Sequence, residues 1–145
     1  MQIISIELFI LVALLIVSLI DLRYKAVPSI FLTSLLFMSA ITNISNLGGA
    51  VLLLIFGLMI QDIYQDRILG RADFKAFIII GFLLPNILSV IIFIMIFLIF
   101  QITWAFVVRK IIKTSDKEIP FLIVFFLSYL TFYIVQMYSL IYKSL

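Results

Sequence analysis

Apolar residues run along this chain in long blocks, and short polar stretches separate them. The first block covers residues 3–20 and carries one charge, Glu7. Its 18 residues make a helix of about 27 Å, close to one hydrocarbon core. A cleavable signal peptide opens on a basic segment, but no Lys or Arg precedes Asp21, so the block reads as an uncleaved span. The polar stretch Asp21-Leu22-Arg23-Tyr24-Lys25-Ala26-Val27-Pro28-Ser29 follows, and Pro28 is placed to open the next helix at its first turn. A second span runs from about residue 30 to 41. Residues 42–49 are uncharged and contain Gly48-Gly49, which reads as a turn. A third span covers residues 50–60 and reaches towards Tyr64. Residues 61–75 then hold Asp62, Asp66, Arg67, Arg71, Asp73 and Lys75.

From Phe74 to Val108 the only charge is Lys75. As one helix these 35 residues would extend about 52 Å, well beyond a bilayer core. Two spans, residues 74–84 and 87–108, joined by a tight turn at Pro85-Asn86, fit better. The former is short, so either its helix starts before Asp73 or Asp73 lies below the membrane surface. A basic loop, residues 109–118, leads through Pro120 to a sixth span ending near Tyr142. The prediction is an all-α polytopic membrane protein with six transmembrane helices, forming one domain over residues 1–145.

Basic residues orient it. Arg23 and Lys25 follow span one, Arg67, Arg71 and Lys75 follow span three, and Arg109, Lys110, Lys113 and Lys117 follow span five. Lys143 is the only other base, so the positive-inside rule puts three charged loops in the cytoplasm and both termini outside. Composition agrees: 66% of the residues are hydrophobic and 12% charged, against about a quarter charged in soluble domains. That excludes a cytosolic globule and a nucleic-acid-binding module. The net charge of +3 belongs to the cytoplasmic loops and asks only for anionic headgroups, so the bilayer is the first partner. The chain contains no Cys and no His. Disulfides, thiolate metal sites, thiol nucleophiles and a Ser-His-Asp triad are therefore excluded, and no metal or cofactor is expected.

Carboxylates remain. Asp21 ends span one and Asp73 begins span four, both on the cytoplasmic side, and helix packing could bring them together. Acids at the edge of hydrocarbon are costly, which makes them functional candidates. Two carboxyls in one site keep a proton between them, the working state of an aspartic protease. A helix N-terminus favours the anion and a C-terminus disfavours it, which suggests Asp73 as the base and Asp21 as the acid. Solvated helix caps are the plain alternative for either residue alone.

Two motifs add to this. Gly70-Arg71-Ala72-Asp73-Phe74-Lys75 resembles the GxGD signature of intramembrane aspartyl peptidases. Asp21-Leu22-Arg23 followed by Val27-Pro28-Ser29 resembles the D-x-R-x-x-x-[IV]-P-N element of the type IV prepilin peptidase family, which includes the archaeal preflagellin peptidases. Glu118-Ile119-Pro120-Phe121 is similar to an I-P-F segment of that family. The likeness covers the whole chain in layout and about twenty residues in sequence. Ala72 stands where the second Gly of GxGD would be, and Ser29 where Asn would follow Pro. Ala72 is still small, and Ser29 is still able to cap a helix. The cysteine-bearing insertion of bifunctional bacterial members is missing, so methyl transfer is not expected.

The resemblance implies an aspartic-type endopeptidase in the cell membrane with its active site at the cytoplasmic face. Its partners would be pilin-like or flagellin precursors, cut between a short basic leader and a hydrophobic helix. Asp21 and Asp73 would be catalytic, with Gly70 and Ala72 supporting the backbone beside Asp73. Asp62, Asp66 and Glu118 are candidates for binding the leader, with charge balance and a Ser115-to-Glu118 capping box as the plainer roles. Arg23 and Lys75 lie two residues from an aspartate and so off its helix face, which suggests headgroup anchoring. The aromatics of span five and Trp104 read as lipid-facing bulk and interface belt. Two other functions compete: a small ion- or proton-coupled transporter using the same aspartates, and a catalytically inactive scaffold relative.

Overall fold

The computed structural model describes residues 2–24, 27–63, 71–107 and 121–144. Among these the chain is all-α, with helices α1 (Gln2–Tyr24), α2 (Ser29–Thr42), α3 (Leu47–Ile63), α4 (Arg71–Leu83), α5 (Ile87–Val107) and α6 (Phe121–Ser144). A 3₁₀ turn, Ile44–Asn46, lies between α2 and α3. Three stretches are long and apolar enough to cross a membrane: Ile44–Asp62, Ile87–Val107 and Phe121–Tyr138. Leu8–Asp21 and Ser29–Thr42 are shorter apolar helices.

Two boundaries differ from the sequence expectation. Asp21 to Tyr24, expected to begin a polar loop, complete the last turn of α1. Gly48 and Gly49, expected in a turn, lie in the first turn of α3. Their neighbourhood gives the reason. A Cβ on Gly49 would sit 2.7 Å from the Gly81 carbonyl oxygen, and one on Gly81 would sit 2.4 Å from Ala50 Cα. The two backbones touch there, which only the smallest residues permit. Eight residues further along the same face, Gly57 lies against the rings of Phe74 and Phe77. Since Gly49 meets Gly81 and Gly57 meets Phe74 and Phe77, α3 and α4 run antiparallel.

The turn at Pro85-Asn86 is present. Pro85 brings no N–H to continue α4, and Asn86 caps α5 by accepting from the Ser89 backbone N–H at 2.8 Å. Nearby, Asn46 Nδ2 donates to the Phe82 carbonyl at 3.0 Å and joins the α2–α3 turn to this end of α4.

α4 packs on α2, α3 and α6, while α1 and α5 pack chiefly on α6. A cluster of phenylalanines holds the centre. Phe77 stands edge-on to Phe125 with ring centroids 4.3 Å apart, and Phe97 lies 4.8 Å from Phe125 and 5.6 Å from Phe77. Phe93 and Phe97 of α5 are fully buried, and Trp104 is half-buried against the core. The expectation that the aromatics of this helix are lipid-facing bulk therefore fails for those facing α6 and α4. The outer surface is apolar as well: Ile30 is 82% exposed, Ile41 76% and Ile102 70%. Soluble monomers rarely show apolar surface this continuous, whereas lipid accepts it.

Candidate active site

Asp73 continues a buried stripe. Residues 73, 76, 77 and 80 share one face of α4, and Asp73, Ala76, Phe77 and Ile80 are all buried. Asp73 is 8% exposed, and only Arg71 of this helix is an exposed residue. The first helical turn leaves backbone N–H groups without intrahelical acceptors and carries the positive end of the dipole, so it suits an anion. Ala72 is half-buried beside it and packs on the core.

The α3–α4 register sets the depth of Asp73. The contacts of Gly49 with Gly81, and of Gly57 with Phe74 and Phe77, bring Asp73 level with about Leu58. Asp62, exposed in the last turn of α3, stands about one turn, roughly 6 Å, further out along the pair. Both sequence alternatives apply: α4 already includes Arg71 and Ala72 before Asp73, and Asp73 also sits inward of the end of α3.

Asp21 is half-buried in the last turn of α1. One turn earlier on the same face, the buried Ser18 hydroxyl bonds the Leu14 carbonyl at 2.7 Å and the Leu122 carbonyl at 3.0 Å. This ties α1 to the opening of α6. Asp73 stands one turn before Phe77, whose ring meets Phe125. Each aspartate is thus one helical turn from a contact with the opening residues of α6.

Lys75, expected to anchor at headgroups, is engaged by a neighbouring helix. Its ammonium donates to Ser29 Oγ at 2.6 Å, Thr33 Oγ1 at 2.6 Å and the Ser29 carbonyl at 3.3 Å. Three acceptors match the three N–H bonds of an ammonium at the edge of an apolar bundle. The Thr33 hydroxyl donates its own proton to the Ser29 carbonyl at 2.7 Å, leaving its lone pairs to Lys75. Ser29 makes no side-chain cap on α2, where Pro28 occupies the cap position. Its hydroxyl serves Lys75 instead. Two hydroxyls four residues apart at the start of an apolar helix, and one lysine inside a long apolar run, were the signal for this contact. Lys75 to Ser29 and Asn46 to Phe82 together make α2 and α4 parallel neighbours.

Gly70, Asp66 and Glu118 lie outside the described residues, as do Ser115, Pro120 and the basic loop. Among the described residues, no three acids gather as a metal-binding group. Compared with known protein families, curated proteins and solved structures, the chain matches none. A functional reading therefore rests on its own residues and on the motif resemblance.

Proposed function

We infer that this protein is an intramembrane aspartyl endopeptidase. It removes the short basic leader of pilin-like or archaeal flagellin precursors at the cytoplasmic face of the cell membrane, with six spans and both termini outside. The observation that supports this most is the position of Asp21 and Asp73, each one turn from the opening of α6. Both acids stand one turn from contacts with the first described residues of α6, the arrangement a shared-proton pair would need. One carboxylate takes a proton from water as the water oxygen bonds to the scissile carbonyl carbon. The other carboxyl gives its proton to the carbonyl oxygen. Collapse of the tetrahedral intermediate breaks the C–N bond, and the amine leaves with a proton returned by the dyad. A transporter reading is less well supported, because transport sites usually lie near the midplane and Asp73 stands in the first turn of its helix.

Co-expression with a pilin-like precursor tests this reading. Leader removal is expected in the wild type and is lost in Asp21→Asn and Asp73→Asn, with the amount of inserted protein unchanged. The cleavage rate should be bell-shaped in pH, since both the fully protonated and the fully ionised pair are inactive. A rate that is flat across the acidic range would count against a shared-proton site.

A further inference from the structure

The Lys75 cluster joins two segments that are far apart in the sequence. Lys75 belongs to the segment carrying Asp73, and Ser29 to the segment that follows Asp21. The contact links positions 46 residues apart. We propose that Lys75 is a positioning residue whose latch onto Ser29 and Thr33 sets the distance between the helix end bearing Asp21 and the helix start bearing Asp73.

α1 ends at Tyr24 and α2 begins at Ser29, with four residues between them. Five peptide units reach no more than about 18 Å, so a fixed Ser29 confines the end of α1. Lys75 fixes Ser29 through both its hydroxyl and its carbonyl, and it fixes the next turn of α2 through Thr33. Among the described residues, α1 also packs on α6, by way of Ser18 and apolar contacts. Apolar attraction is non-directional, whereas a three-acceptor ammonium holds one register. At Asp73 the latch has a rigid base, because α4 is buried along nearly its whole length. Lys75 lies two residues from Asp73 and points to α2, so it acts on the distance between the aspartates and not on the reacting atoms. The effect on cleavage rests on the peptidase reading; the effect on distance does not.

The chain has no cysteine, so an introduced pair is the only labelled pair. Spin labels at Tyr24→Cys and Arg71→Cys, both at exposed positions, report the distance between the two helix ends in the full protein in lipid nanodiscs. Thr33→Val removes one acceptor at nearly constant volume and should broaden and lengthen the distance distribution. Lys75→Met should do so more strongly, while Thr33→Ser keeps the wild-type distribution. Thr33→Val added to Lys75→Met should produce no further change, as expected for partners in one interaction. In the cleavage assay, Lys75→Met should lower kcat by about 10–100-fold with KM little altered, the signature of a misplaced catalytic group. An unchanged distribution in inserted Lys75→Met and Thr33→Val overturns the latch, even if cleavage falls. A widened distribution with an inert wild type upholds the latch and removes the peptidase reading.

Discussion

α4 and α5 leave the same Pro85-Asn86 turn with similar apolar sequences and meet opposite surroundings. α4 has 13 residues, about 20 Å of helix, and Arg71 is its only exposed residue. α5 has 21 residues, about 31 Å, and buries only Ser89, Val90, Phe93 and Phe97 among those it presents. The short helix carries Asp73 and Lys75 and is wrapped by α2, α3 and α6; the long one is a wall with one face in the bundle and one in lipid. The carboxylate of this short, enclosed helix is held inward of the end of α3. The enclosure also holds it in a fixed place.

Substitutions can break this contrast at graded strength. Gly81→Leu should have the largest effect. Even a Cβ at that position would sit 2.4 Å from Ala50 Cα, so the α3–α4 contact cannot form. The cost should exceed the roughly 3 kcal/mol usual for overpacking, seen as loss of folded, detergent-resistant protein. Phe77→Ala, which empties the centre of the phenylalanine cluster, should cost about 3–5 kcal/mol in reversible unfolding from mixed micelles. Ile102→Ala, on the lipid side of α5, should change stability by less than about 0.5 kcal/mol. Equal effects of Phe77→Ala and Ile102→Ala would mean that α4 is no more enclosed than α5.

The sequence made some of this legible and concealed the rest for physical reasons. The division of the apolar run at Pro85-Asn86 was readable, because a residue without an N–H followed by a capping Asn ends one helix and starts another. Asp21 and Asp73 were readable as candidates, because acids are scarce in such a chain and two fell inside motifs. The burial of Phe93 and Phe97 was not. A helix that is apolar all round carries no hydropathy difference between its lipid face and its bundle face. Gly48-Gly49 misled because glycine marks both turns and close backbone contact, and only the partner, Gly81, distinguishes them. The contact of Lys75 with Ser29 was not readable, because its acceptors come from a different helix and snorkelling to headgroups is the default for a terminal lysine.

The proposed peptidase activity requires the enclosed aspartate of α4 to work with Asp21 in hydrolysing a peptide bond. Its most direct test is the rate of leader removal from a pilin-like precursor by the purified protein in liposomes, for wild type, Asp73→Asn and Asp21→Asn at equal inserted amounts. Loss of activity by about 1,000-fold or more in each variant is the predicted result. A wild-type rate in either variant would contradict it.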